Sequence, residues 1–300
     1  MKQHWTHAGD FMERLIAGGL AASLFAFATV SAAQEDAPEN YIVISSGAEG
    51  GGYWSAGDRL REVAEGMDLR VENRASTGSL DNLEQLLDPA NPVSMAFAQA
   101  DAAEHFYNQH PDARAQVDVI ENIGLECVFV LASTGSDLET DGDLQERAED
   151  LKLGIKSETS GIAVTFEYMS SLVPELAAME VVYGDPGADM EGLDREGGAV
   201  DAVMVVHRPK EHSPEVDFAI ANPDRVAFVA LEDDRLTEEI PGGNAVYRSM
   251  RLALPGAKDP VDTICVRGLL LGNKEKLTSY QRDKLTDLVN YHWMRVYATQ

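Results

Sequence analysis

The residues that could do chemistry fall in short polar turns, each between an apolar run and a helical pattern. The clearest is Ser45-Ser46-Gly47-Ala48-Glu49-Gly50-Gly51-Gly52-Tyr53. It follows the apolar run Tyr41–Ile44 and leads into apolar positions at Ala56, Leu60, Val63 and Ala64. Strand, glycine-rich turn, helix is an arrangement that lets backbone approach a bound group, while the helix start offers free N–H groups and a positive dipole end. A plain strand-to-helix turn is the alternative reading. The stretch is neither a G-x-G-x-x-G fingerprint nor a phosphate loop, because no Gly-Lys-Ser/Thr follows. Ser76-Thr77-Gly78-Ser79 opens a second helix, marked by Leu80, Leu83, Leu86 and Leu87. Gln99 stands between the run Val93–Phe97 and a helix through Tyr107. Lys156-Ser157-Glu158-Thr159-Ser160-Gly161 opens another, with Ile162, Phe166, Met169 and Val173 on one face. At each of these turns a Ser or Thr could equally be a helix cap.

Three successive strand–loop–helix units from Tyr41 argue for a parallel α/β sheet, whose ligands sit at the carboxyl ends of the strands. A long β-like stretch, Val117–Leu131, is expected to break at Gly124. An acidic loop follows to Asp150. Asp137, Asp141 and Asp143 lack the glycine and late glutamate of a calcium loop, so a solvated acidic segment is expected there. The α/β rhythm restarts at Leu151–Ile155 and continues through Glu180–Tyr183, Val200–Val206 (ending at His207-Arg208-Pro209), Val226–Leu231, a turn at Pro241–Asn244, and Ile264–Leu271. An amphipathic helix, Leu277–Thr299, closes the chain and buries Leu285, Leu288, Val289, His292, Trp293 and Val296. The expected architecture is α/β with two lobes, residues 34–130 plus 264–300 forming one and residues 131–263 the other. A ligand cleft lies between them, and the hinge falls near Cys127–Val130 and Val266–Leu269.

Composition narrows the function. The chain has 300 residues, with 24 basic against 51 acidic side chains, a net charge of −27. Such a surface repels nucleic acid and anionic lipid. Capture of an anion would have to depend on local donors. Residues 1–33 read as an export signal: Lys2 and Arg14, an apolar run from Leu15 to Val30, and Ser31-Ala32-Ala33 as a small-x-small cleavage site. The run is shorter than the roughly 20 residues of a membrane span, which is the alternative reading. Loss of this segment removes two acids and two bases and leaves the net charge unchanged. The two cysteines, Cys127 and Cys265, sit in apolar β-like runs. In an exported protein they could form a disulfide if the strands are neighbours, or remain two buried thiols. No Cys-x-x-Cys or histidine cluster points to a redox or zinc site, and no cofactor or metal is expected.

Taken together, the glycine loop ending in Tyr53, Ser76-Thr77-Gly78-Ser79, Ala98-Gln99-Ala100-Asp101, Thr159-Ser160-Gly161 and Gly198-Ala199-Val200-Asp201-Ala202 resemble the solute-binding proteins of the TAXI branch of TRAP transporters. Tyr247 and the strand Asp262–Leu271 resemble that family's return crossover. The resemblance spans nearly everything from Tyr41 to the C-terminal helix. It implies a bilobal periplasmic-binding-protein fold of type II-like form, a periplasmic location, and delivery of a small carboxylate or amino acid to TRAP membrane permease subunits, with the receptor acting as a monomer. It implies ligand contacts from Ser46, Gly51, Tyr53, Ser76, Thr77, Ser79, Gln99, Ser157, Thr159 and Ser160. The chain departs from the family pattern at Glu49, Gly52 and Trp54 in the glycine loop, at Lys156 and Glu158, and at His207-Arg208-Pro209. Arg208 and Lys156 could supply local cations, Arg208 bidentately to a carboxylate; Glu49 or Glu158 in the cleft would favour a ligand with an amine. Three other readings remain: a receptor of the same fold feeding a membrane kinase, an ABC-type binding protein, and a hydrolase built on a dispersed triad that uses His207. Gly-x-Ser-x-Gly and His-Glu-x-x-His are absent.

Overall fold

The computed structural model describes residues 38–193, 197–209, 213–240 and 244–297. The expected signal segment, residues 241–243 of the expected turn and the last residues of the expected C-terminal helix lie outside these. In chain order the elements are β1 (Tyr41–Gly47), α1 (Gly52–Glu65), β2 (Arg70–Ala75), α2 (Ser79–Leu87), β3 (Met95–Gln99), α3 (Ala100–Gln109), α4 (Ala113–Gln116) and β4 (Val117–Ser133). Next come α5 (Asp141–Glu146), β5 (Lys152–Ile155), α6 (Gly161–Leu172), β6 (Glu180–Tyr183), α7 (Pro186–Gly192), β7 (Ala202–His207), α8 (Pro214–Ala221) and β8 (Val226–Val229). The chain closes with β9 (Glu239–Ile240), β10 (Asn244–Ala245), β11 (Tyr247–Leu252), β12 (Val261–Asn273) and α9 (Ser279–Tyr297).

One curled sheet runs β2-β1-β3-β12-β4-β7-β5-β6, with β11 beside β12 and β8 beside β4. Its two ends are parallel triplets. In the first lobe β1 lies between β2 and β3; in the second, β5 lies between β7 and β6. Both ends read as strand–loop–helix because a parallel connection needs a helical crossover. The middle is antiparallel and consists of the long strands β4 and β12. Each changes neighbours partway along. β12 pairs with β11 as far as Val266 and with β3 from Gly268; β4 meets β7 only from Cys127 onward. The α/β fold is thus bilobal, and the shared strands connect the lobes where the two cysteines lie.

Cys127 and Cys265 are directly opposed in this ladder, fully buried and joined in a disulfide. The expected break at Gly124 does not occur. The strand passes through Gly124 at φ 113°, and the register with β12 shifts there, so that Ile123 is an extra residue opposite no partner. Glycine adopts this backbone at little cost, which bends the strand without ending it.

Packing follows the predicted faces. Leu60, Val63 and Ala64 of α1 join Ile42, Ile44, Phe97 and the α9 residues Leu285, Leu288 and Val296 in the core of the first lobe. Phe129, Val203, Val205 and Val216 gather around the disulfide in the second. On α9, Val289, His292 and Trp293 are only half-buried. The acidic loop after β4 is more ordered than its composition predicts. Asp143 and Thr140 cap α5 reciprocally, and the buried Asp141 accepts the Glu232 and Asp233 amides at 3.0 and 2.8 Å. Those acids are occupied as local acceptors, and the described residues contain no acidic group arranged to hold a metal ion.

Candidate functional site

The carboxyl ends of the strands and the helices that follow them converge on one cleft of about 240 Å³. From the first lobe it takes Ser46, Gly47, Ala48 and Gly51 to Trp54, with Gly78, Ser79 and Gln99. From the second it takes Ser160, Gly161, Ile162 and Val206. Glu126 of β4 also lines it. Six of the eleven residues singled out from sequence therefore share this cleft: Ser46, Gly51, Tyr53, Ser79, Gln99 and Ser160.

The helix starts are arranged unequally. Position Gly51 caps α1, Gly78 caps α2 and Gln99 caps α3, and none of the three accepts a side-chain hydrogen bond from its own helix. Their first amides are the orphan donors every helix carries, but the first turns of α2 and α3 also carry Asp81 and Asp101, and Asp101 Oδ1 accepts the Ala102 amide; the start of α1 carries no acid and favours an anion most. In the second lobe Ser160 does cap α6. Its Oγ accepts the Ala163 amide at 3.3 Å and donates to the Ser157 carbonyl at 2.6 Å.

The lobes touch across the cleft. A Cβ at Gly78 would lie 3.2 Å from the Thr159 carbonyl oxygen, and Gly78 itself sits at φ 148°. Glycine is what allows these two loops to meet. A Cβ at Gly161 would lie 2.3 Å from Oε1 of Gln99, so the Gln99 amide packs directly on the first turn of α6. Behind these loops the buried Asp101 of α3 receives two hydroxyls, Thr165 of α6 at 2.7 Å and Tyr247 of β11 at 2.9 Å. Burial raises the Asp101 pKa, and these hydrogen bonds oppose the rise. The conformation is closed.

Tyr53 forms part of the floor. Its ring stacks on Phe97 with centroids 5.6 Å apart, and its hydroxyl donates to Glu126 Oε2 at 3.3 Å. Burial, then the nearby charges of Glu126 and Asp101, push the phenol pKa well above its ordinary value, while Arg208 pulls the other way. The Arg208 guanidinium stands beside the start of α1, with Nη2 3.9 Å from where a Cβ of Gly52 would be.

The remaining sequence candidates are placed differently. Ser76 Oγ is buried and lacks a hydrogen-bond partner, though it does not line the cleft. The Thr77 hydroxyl and amide are both held by Asp81, and its side chain is exposed. Ser157 contributes its carbonyl to Ser160 rather than a side chain to the cleft, and Thr159 is exposed and contributes its carbonyl. Glu49, Lys156 and Glu158 are exposed and outside the lining. Ser46 and Ser79 line the cleft with hydroxyls already engaged: Ser46 donates to Asn73 Oδ1, and Ser79 accepts the Gln99 amide at 3.2 Å. His207 is half-buried, with Nδ1 3.4 Å from the Arg208 carbonyl. Sequence reasoning missed Glu126 and the apolar contributors Trp54, Ile162 and Val206. An acid opening the apolar run Glu126–Leu131 was the available signal for the first.

No protein-family model matches the chain, and no curated protein matches it by sequence. Many solved structures are similar in backbone. A protein from Xanthomonas citri, solved bound to ATP, superposes with a TM-score of 0.50 at 9% identity, covering 86% of this chain and 88% of its own. The binding-protein component of an ABC phosphonate transporter from Pseudomonas aeruginosa gives 0.49 at 12% identity, covering 87% and 79%. The periplasmic VFT2 domain of BvgS from Bordetella pertussis gives 0.47 at 8% identity, covering 87% and 93%. At such identities the likeness concerns the fold alone: a bilobal α/β architecture with its cleft between the lobes.

Proposed function

We propose that this protein is an extracytoplasmic solute-binding receptor. It captures a small carboxylate or amino acid between its lobes and presents the closed form to a membrane transporter. The observation that carries this reading is the single cleft on which three helix starts without side-chain caps converge and across which both lobes touch. Backbone N–H groups and a guanidinium are suited to a carboxylate and can hold one despite the acidic surface, because they act locally at short range. The ligand residues would be Ser46, Gly51, Tyr53, Ser79, Gln99 and Ser160 in the lining, with Arg208 at its edge and Ser76 reaching in as the lobes adjust. Closure would be a hinge about Cys127–Val130 and Val266–Leu269, where the shared strands change neighbours.

The finer assignment, a TAXI-type receptor serving a TRAP permease from the periplasm after loss of residues 1–33, rests on the resemblance of the turn motifs. A binding role is supported by a cleft lined mainly by glycines, small hydroxyls and apolar side chains, with Tyr53 and Glu126 as its titratable groups. A thermal-shift screen of small carboxylates and amino acids tests the proposal. A ligand at 100 times its Kd stabilises the folded state by about 2.7 kcal/mol, which is roughly 5–10 °C for a chain of this size. If no member of either class raises the midpoint, the proposal is wrong.

A further inference from the structure

A second cavity, of about 250 Å³, lies on the other side of the shared strand β12 from the cleft. A Cβ at Gly268 would lie 3.3 Å from the Tyr53 hydroxyl of the cleft floor, and alternation along the strand sends the flanking Arg267 and Leu269 to the opposite face. There β12 lines the cavity with Arg267, Leu269 and Leu271, α3 adds Ala103 and Tyr107, and Val246 closes it just before β11. All of these except Arg267 are buried. The wall is therefore largely apolar, with charge at two places. One is the pair of Arg114 and Glu104. Two guanidinium nitrogens meet both carboxylate oxygens, Nη1 at 2.9 Å from Oε1, and the guanidinium carbon stands 4.7 Å from the centre of the Tyr107 ring. The charges of that pair cancel locally. Arg267 is the other. It is half-buried and, among the described residues, has neither an ion-pair nor a hydrogen-bond partner.

A guanidinium in such a place has lost part of its hydration without gaining an acceptor. In a chain with 51 acidic side chains, a half-buried cation that meets none of them leaves its place open to an acid from outside. A carboxylate matches the guanidinium fork bidentately. Leu269, Leu271 and Ala103 then offer a hydrocarbon tail its contacts. A second charge on the ligand would find no free partner, because Arg114 and Glu104 already satisfy each other. The volume equals that of about eight water molecules at about 30 Å³ each, so a monocarboxylate of roughly four to six carbons fills it. Ala100 of this cavity directly follows Gln99 of the cleft, yet no residue lines both, and the two are separate sites.

We propose that this cavity is a second binding site, for a short-chain aliphatic monocarboxylate, with Arg267 as the group that receives the carboxylate. The inference stands apart from the receptor reading, and either can fail alone. One test is calorimetric titration of the full chain with butanoate, hexanoate, octanoate and inorganic phosphate. Hexanoate is expected to bind about tenfold more tightly than butanoate, since two further methylenes are buried, and more tightly than phosphate, which has no tail. Octanoate should gain nothing further, because it outgrows the cavity. Arg267→Met, which keeps the length of the side chain and removes its charge, should weaken hexanoate tenfold or more. The second test needs no variant to fold: a crystal of the wild type soaked in 4-bromobutanoate should show the anomalous bromine peak among Ala103, Leu269 and Leu271. No binding of any monocarboxylate, phosphate binding as tightly as hexanoate, affinity that keeps rising to octanoate, or unchanged affinity in Arg267→Met would each overturn the proposal. So would a bromine peak found only in the cleft between the lobes or elsewhere on the protein.

Discussion

Replacing Gly161 by alanine isolates the contact that closes the cleft. The added Cβ would sit 2.3 Å from Gln99 Oε1, whereas a relaxed C···O contact is about 3.3 Å. About 1 Å must be recovered, by turning the Gln99 amide away or by holding the lobes apart. Oε1 is the far end of a flexible side chain, so the cost sits at the low end of overpacking, about 1 kcal/mol. It falls on the closed form only, so it enters as ligand binding weakened about fivefold. The same substitution should not harm folding. Gly161 opens α6 at a φ outside the left-handed region, and alanine is the better helix former. Calorimetry against the solute found by thermal shift reads the affinity, and the midpoint without ligand reads the stability. Gln99→Ala gives the internal control: in that background Gly161→Ala should cost much less, because the opposing atom is gone. Wild-type affinity in Gly161→Ala at unchanged stability would refute the claim that this contact belongs to the bound state.

Other perturbations probe separate parts of the account. Arg208→Ala should weaken carboxylate binding by more than tenfold in calorimetry; wild-type affinity would take Arg208 out of the site. Ser160→Ala should do two things at once, lowering stability by about 0.5–2 kcal/mol through loss of the α6 cap and weakening binding more than tenfold; a stability change with wild-type affinity would take Ser160 out of the site. Cutting the disulfide with Cys127→Ala/Cys265→Ala releases a cross-link spanning 138 residues and should cost about 2–5 kcal/mol in denaturant unfolding. Asp233 supplies a pH signature. Hydrogen bonds from Arg235 hold its pKa down at about 2, below the ordinary value of about 3.9, so its folded form binds protons less readily than its unfolded form. The wild-type advantage over Asp233→Asn should therefore be complete above about pH 4 and fade as the pH falls through about 2, as read by unfolding at a series of pH values.

The parallel triplets and their helix-opening turns were legible because local periodicity determines them: Leu60 and Val63 on α1 and Leu83 and Leu86 on α2 are buried as their spacing requires. The positions at which the long strands change neighbours were also legible, since both runs are too long and too apolar to belong to one lobe. The disulfide was not, because whether Cys127 opposes Cys265 depends on a register set by contacts more than a hundred residues apart. Glu126 was hidden for a related reason. Two extra residues, Ile120 and Ile123, each interrupt the alternation of β4, so a strict alternation read along the sequence does not establish which way Glu126 points. For the hydroxyls, the sequence located the loops but not the division of labour. Whether Thr77 turns toward Asp81 or toward a ligand, and whether Ser160 caps a helix, are decided by loop geometry within a few ångströms.

The central claim is that the cleft between the lobes is where a small charged solute binds. The most direct test is a crystal structure of the protein with the solute that most raises its thermal midpoint. The account predicts density between Ser46–Trp54 and Ser160–Ile162, with a carboxylate at the starts of α1 and α2. Full-occupancy density elsewhere, with this cleft holding only water, would contradict it.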